Sequence, residues 1–343
     1  MVSERGLEVL RAIVEDYVET REPVGSKAIV ERHAFGVSAA TIRNDMALLE
    51  EEELITAPHT SSGRVPTDKG YRVFVDRLAG VRPLTSAQRN AVVTFLSESV
   101  DLDDLLARAV RSLTQLTGHV ALIQYPSFDR AHVTHLELVR IGPGRVVVII
   151  VTDTARVSQR LASFPSPPEE PDVDALRHRA AALMTGLDVR EAAGAVAQEA
   201  DSDAAAADPA WRELLRIVRE ELEDFRQDRL VMAGAATLAR READFRGSIF
   251  PVLEALEEQV TLLRLVGEMV ADEQGLAASI GRENEPFGLS EASVLTSDYV
   301  GTGGQARVGV LGPTRMDYPS NLGAARAVAR FVSRLLGDDD AAR

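Results

Sequence analysis

Apolar residues recur at helical spacing near the start of the chain. Leu7, Leu10, Ile13, Val14, Tyr17 and Val18 form one stripe, and Ser3 stands where an N-cap is needed. The spacing predicts a helix to about Thr20, stopped by Glu22-Pro23-Val24-Gly25. A short second helix runs from Lys27 to about His33 with Ser26 as its cap. Phe35-Gly36-Val37 reads as a turn in which Gly36 is free to take positive φ. Ser38 then caps a third helix, with Thr41 in its first turn. Ile42, Met46 and Leu49 share one face of it and belong against the first two helices. The opposite face carries Ala39, Ala40, Arg43, Asn44 and Ala47. Leu54-Ile55-Thr56 reads as a strand, Ala57 to Gly63 as a turn rich in Pro, Ser, Thr and Gly, and Arg64-Val65 as the returning strand. Pro66-Thr67-Asp68 starts a fourth helix capped by Thr67. Helices, hairpin and helix in that order predict a winged helix-turn-helix over residues 1–80.

The pattern then changes. Leu84 to Thr117 is mainly helical, with Ser86 near its start and Val93, Leu96, Val100, Leu105 and Leu113 apolar, so 81–117 reads as a helical linker. His119 to Tyr125, Val133 to Ile141 and Arg145 to Thr152 are short, β-branched segments. Turns at Pro126-Ser127 and Gly142-Pro143-Gly144 separate them, and together they read as an antiparallel sheet. The Pro-rich run from Phe164 to Asp172 marks a boundary. Asp174 to about Glu199 is Ala-rich and helical, and Asp201 to Pro209 is a polar loop. Ala210 to Ala239 reads as helix, with Trp211, Leu214, Leu215, Val218 and Leu222 on one face. The sheet resumes near Leu276–Ile280, Ala292–Val300 and Ala306–Leu311. The expected architecture is α+β, a sheet domain over 118–163 and 240–337 interrupted by a helical insertion over 164–239. Two helices carrying Trp211, Leu215, Val218, Leu222 and Leu183 cannot bury those faces alone, so they pack on the core or on a second copy.

Composition narrows the function classes. A chain of 343 residues suggests two or three domains. It has no cysteine, which excludes disulfides, thiolate metal sites and thiol catalysis and fits a cytoplasmic protein. No apolar run is long enough to span a bilayer, so no membrane partner is expected. The net charge of −15 argues against indiscriminate nucleic-acid binding. Position matters more than the sum. Glu4, Glu8, Glu15, Asp16 and Glu50 to Glu53 are acidic, but between Leu54 and Arg72 the cations Arg64, Lys69 and Arg72 face only Asp68. An acidic body with one basic edge orients the molecule on DNA and suppresses non-specific contact.

The third helix and the hairpin carry the chemistry. Small residues on the outer helix face let it lie close to base edges. Arg43 has the fork that matches guanine, and Asn44 pairs with adenine or grips a phosphate. His59, Thr60, Ser61, Ser62 and Arg64 supply the small hydroxyls and the cation that a wing needs. Other signals are weaker. His132 and His135 lie three apart in a predicted strand and face opposite ways, which does not suit a shared metal. Gly301-Thr302-Gly303-Gly304 sits between two strands and reads as a hairpin turn. Asp101, Asp103 and Asp104 suit a helix start. Arg315 and Asp317, after a strand ending in Gly-Pro, suit a structural junction; a ligand contact there is the alternative, making the sheet domain a small-molecule sensor. No nucleophile–base–acid set appears and nothing points to a cofactor, so an enzyme is not expected.

The segments GSKAIVERHAFGVSAATIRNDMALLE, PHTSSGRVPTDKGYRVFVDRL and, far downstream, VGVLGPTRMDYP closely resemble the heat-inducible transcription repressor HrcA family. The resemblance spans nearly the whole chain. It implies a homodimer that binds double-stranded DNA at an inverted-repeat operator, called CIRCE, ahead of chaperone operons. It also implies release on heating and dependence on the GroEL chaperonin. By similarity the recognition residues fall on Ser38, Thr41, Arg43 and Asn44, the wing contacts on His59, Thr60, Ser61 and Arg64, and weaker phosphate contacts on Lys69 and Arg72. The same resemblance implies that the sheet domain is GAF-like and that the insertion helps it dimerise. Where the family commonly has Gly after its third helix, this chain has Glu53. A left-handed turn there would cost a non-glycine residue about 1 kcal/mol.

Overall fold

Ser3 Oγ accepts a hydrogen bond from Gly6 N at 3.1 Å and starts α1 (Glu4–Thr20). α2 (Ser26–Arg32) begins at Ser26, the residue expected to cap it, and has no side-chain cap. Gly36 turns the chain at φ +66°. Ser38 Oγ accepts from Thr41 N at 3.2 Å and starts α3 (Ala39–Glu51). The chain in the computed structural model continues through β1 (Ile55–Thr56), β2 (Val65–Pro66), α4 (Asp68–Arg77), α5 (Ser86–Ser97), α6 (Leu102–Thr117), β3 (Val120–Gln124), β4 (Val133–Gly142), β5 (Arg145–Thr152) and β6 (Val157–Ser163). Next come α7 (Glu170–Met184), α8 (Val189–Ala200), α9 (Asp203–Ala207), α10 (Pro209–Arg226), β7 (Leu230–Ala233) and α11 (Ala235–Ala239). The last elements are α12 (Phe250–Glu257), α13 (Gln259–Glu268), β8 (Leu276–Ile280), β9 (Ala292–Gly301), β10 (Gly304–Pro313) and α14 (Tyr318–Ala341). The structure describes residues 2–59, 62–77, 79–126, 131–154, 157–164, 170–226, 229–245, 247–301 and 304–341. Among them no helix is long and apolar enough to cross a membrane.

The chain divides into two units. The first comprises residues 1–124, 230–299 and 307–332. It holds α1 to α4, the β1–β2 hairpin and a five-stranded sheet of order β7-β3-β10-β9-β8. Within it β3 pairs antiparallel with β10 and β7, and β8 with β9. One apolar cluster runs through both parts of this unit. Val9, Leu10, Ile13, Ile42, Met46, Leu49 and Phe74 from the helices join Leu276, Ile280, Leu295, Met316, Tyr318 and Leu322 from the sheet side. The head is thus packed onto the sheet and shares its core.

The second unit comprises residues 125–229, 300–306 and 333–343. Its β4, β5 and β6 form a separate three-stranded antiparallel sheet with α7 to α10. Trp211, Leu214, Leu215, Val218 and Leu222 on α10 are all buried within it. Two expectations are corrected here, and one open alternative is resolved. The segments at 133–141 and 145–152 do not continue the sheet of β3; they pair with each other and with β6, which periodicity did not flag. The helix expected to reach Ala239 ends at Arg226, and Leu230–Ala233 is a strand paired to β3. The apolar face of α10 needs no second copy, because it is covered within its own unit.

His119 precedes β3 and is buried. Burial, reinforced by the nearby Arg241 guanidinium, pushes its imidazole down to about 3. It is therefore neutral in the fold, whereas the unfolded chain takes up a proton below about 6.5. The sign follows: this contribution is fully present above about pH 6.5 and is lost as pH falls towards the folded value. Glu53 adopts φ +60°, the left-handed geometry that glycine would fill without strain.

Two outcomes are expected. Glu53→Gly raises unfolding free energy by about 1 kcal/mol, seen as a higher melting midpoint; an equal or lower midpoint would reject backbone strain at this position. Between pH 6.5 and pH 4 the parent loses stability with a His119 contribution of roughly 1.4 kcal/mol per pH unit. Denaturant titrations of His119→Gln should show a shallower pH dependence, and an identical slope would exclude the histidine as its source.

Candidate nucleic-acid interface

The inner face of α3 is anchored by Ile42, Met46 and Leu49, which are buried. That anchoring turns Ala40, Arg43, Asn44 and Ala47 outward, and all four are exposed. Among the described residues Arg43 has no ion pair, so its whole donor fork is free for an external acceptor. Ser38 Oγ is spent on the helix cap and lies 3.1 Å from Thr41 Oγ1, so both hydroxyls sit at the exposed start of the helix. Asp45, one residue beyond Asn44, points the other way. It is buried and takes two hydrogen bonds from Arg5, at 2.8 and 3.1 Å. That pair ties the start of α1 to the middle of α3. Nothing in the sequence announced it, since the partners lie 40 residues apart.

Beside the helix stands the hairpin. β1 and β2 pair in the register Ile55↔Pro66 and Thr56↔Val65. Val24 extends the pairing: its N–H donates to Arg64 O at 2.9 Å and Arg64 N–H returns to Val24 O at 2.8 Å. At the tip His59 is exposed, and Ser62 Oγ accepts from His59 N at 3.0 Å while donating to His59 O at 2.7 Å. Thr60 and Ser61 lie outside the described residues.

The three cations expected to meet phosphates all have partners within the fold. Arg64 donates from Nε and Nη2 to Glu50 Oε2 at 3.0 and 2.8 Å. Lys69 donates to Glu52 O at 2.8 Å and is exposed. Arg72 is turned towards the sheet, where it forms a two-pronged pair with Glu283, meets Asp76 at 3.1 Å and donates to Ala278 O at 2.6 Å. The structure therefore gathers Ser38, Thr41, Arg43 and Asn44 on one exposed helix face with His59 on the adjoining hairpin. It commits Arg64 and Arg72 to carboxylates.

The other sequence signals find structural uses. Asp101 caps α6 by accepting from Asp104 N at 2.8 Å. Arg315 pairs with buried Asp244 and donates to Val18 O at 3.2 Å, while Asp317 meets Arg82 at 3.2 Å. Both contact other parts of the first unit. His132 pairs with Asp153 and His135 with Glu137, and among the described residues no group of three or more potential ligands is placed to hold a metal.

Comparison with known proteins adds the lineage. Residues 103–321 match the family model described as HrcA protein C terminal domain. A heat-inducible transcription repressor HrcA from Clavibacter michiganensis subsp. michiganensis is 62% identical over 337 residues, covering 98% of this chain and 99% of that protein. The protein of the same description from Leifsonia xyli subsp. xyli is 56% identical over 339 residues, covering 98% and 100%. A solved structure described as a hypothetical protein at 2.2 Å resolution matches with a TM-score of 0.64 and 22% identity, over 98% of this chain and 99% of that one, which indicates a shared fold. With relatives this similar over nearly its full length, the chain belongs to the HrcA family of heat-inducible transcription repressors.

Proposed function

We propose that the chain represses chaperone operons by binding, as a homodimer, an inverted-repeat operator of the CIRCE type in the cytoplasm. Heating releases it, and the GroEL chaperonin sustains its active form. The observation that carries the DNA reading is the exposed, small-residue face of α3 with the unpaired Arg43 at its centre. α1 to α4 with the hairpin then form the winged helix-turn-helix. Arg43 and Asn44 read base edges, Ser38 and Thr41 approach the backbone at the helix start, and the hairpin tip around His59, Thr60 and Ser61 lies along the flanking groove. Lys69 is close enough to the hairpin base to add a phosphate contact. The five-stranded sheet is the GAF-like part.

The dimer reading rests on a different surface from the helices singled out by sequence. The face of the three-stranded sheet that carries Val139, Ile141, Val157 and Leu161 leaves these side chains 42–53% exposed. Register places Val139 beside Val147, and Val147 beside Leu161, so the row is continuous across three strands. An apolar row of this kind on a soluble regulator marks an association surface. A two-fold pairing through it would deliver two heads to two half-sites. Release on heating needs no dedicated sensor. Native stability is about 5–15 kcal/mol at its maximum and falls steeply near the midpoint, so warming towards that midpoint empties the bound state.

Arg43→Ala is expected to cost about 1–3 kcal/mol of operator affinity and to relax the preference at one base pair. Equal binding by variant and parent in salt-matched gel shifts would reject the role. Leu161→Arg should yield a folded monomer in light scattering coupled to size exclusion, with weakened operator binding. A parent that is already monomeric at micromolar concentration would reject the dimer.

A further inference from the structure

Arg64 occupies the position where a wing cation would meet a phosphate, yet every contact it makes runs inward. Its backbone pairs in both directions with Val24, in the turn after α1. Gly63, its neighbour, is pressed on that same turn; a Cβ there would lie 2.5 Å from the Val24 carbonyl carbon and 2.6 Å from the Pro23 carbonyl carbon. The guanidinium then reaches back to the last turn of α3. Nε and Nη2 converge on a single oxygen of Glu50, and Nη1 donates to Ser62 O at 3.3 Å. The two side chains are only 28% and 37% exposed. Residues 63 and 64 thus join three pieces: the α1–α2 turn, the hairpin and the end of the reading helix.

We propose that Glu50 and Arg64 form a strut that fixes the angle between the hairpin and α3, so that Arg64 acts on DNA as a positioning residue and not as a phosphate contact. The inference rests on the DNA-binding reading and assigns to Glu50 a role in it. A carboxylate beside a DNA-binding face is ordinarily a liability, because it repels phosphate. Here the guanidinium satisfies it, and the pair is half-shielded, so each partner depends on the other. Two opposite expectations follow. If Arg64 bound phosphate, Glu50 would compete for it, and neutralising Glu50 would free the cation and tighten binding. If the pair is a strut, neutralising either partner loosens the hairpin, and removing both does little further harm.

The experiment measures operator affinity of the full-length chain over a series of salt concentrations for the parent, Glu50→Gln, Arg64→Gln and the double variant, with melting curves to confirm folding. The strut predicts that each single variant weakens binding by roughly three- to thirtyfold. The double variant should be no weaker than the worse single, and the dependence of log affinity on log salt should keep the parental slope. The reversed pair, Glu50→Arg with Arg64→Glu, should recover part of the loss, which keeps the test decisive if a single variant folds poorly. Unchanged or tighter binding by Glu50→Gln, or a salt slope reduced by about one in Arg64→Gln, overturns the strut while leaving DNA binding intact. A parent that does not distinguish its inverted repeat from a scrambled duplex rejects the DNA reading and the strut with it.

Discussion

Ile42, Met46 and Leu49 hold α3 by one side, and the rest of the first unit depends on that grip. Because the inner face is buried, the outer face is free to be small and polar. Because the same apolar cluster continues through Leu276, Ile280, Leu295, Met316 and Tyr318, α3 is seated on the sheet's core and not on a tethered module. Deleting a large side chain from such a core costs about 2–5 kcal/mol, comparable with the whole stability of a marginal domain. Loss of order in the sheet therefore removes packing beneath the helix. Family membership and this continuity agree: in a heat-inducible repressor the exposed face of α3 rests on a core whose order is lost once conformational entropy outweighs burial on heating.

Charge is distributed to leave little of the surface adhesive. With a net charge of −15, the molecule repels DNA on average. Most cations near the head are already matched: Arg5 to Asp45, Arg64 to Glu50, and Arg72 to Glu283 and Asp76. Arg43 stands apart from that pattern on the exposed face of α3. If α3 meets DNA, as proposed, one guanidinium amid small side chains would discriminate by fit, whereas a broad basic patch would bind any duplex. The pairing of Arg72 with Glu283 also serves the fold, since it ties α4 to the loop after β8 alongside the hydrogen bond from Arg282 N to Asp68 at 3.0 Å.

Local patterns were legible from the chain alone where one residue's chemistry decides the geometry. Ser3 and Ser38 cap their helices, Gly36 takes positive φ, and strands run at 276–280 and 292–301, near where the sheet was expected to resume. Glu53 is left-handed, the geometry raised by the glycine that the family resemblance places there. The candidate reading face was legible for the same reason: helical period sorts Ile42, Met46 and Leu49 from Arg43 and Asn44.

Tertiary contacts decided the rest. Periodicity cannot say which strand lies beside which, so β4 and β5 were assigned to the wrong sheet, and a four-residue strand at Leu230–Ala233 passed for helix until its partner β3 was known. The apolar face of α10 looked the same in sequence whether covered by its own unit or by a second copy; only its burial distinguishes them. Likewise a lysine or arginine in a basic stretch carries no mark of its partner. Arg64 and Arg72 became intramolecular struts because Glu50 and Glu283, 14 and 211 residues away, arrive beside them on folding. Sequence determines what a side chain offers over a turn or two of backbone. Which groups meet across the chain is set by the three-dimensional packing of those turns.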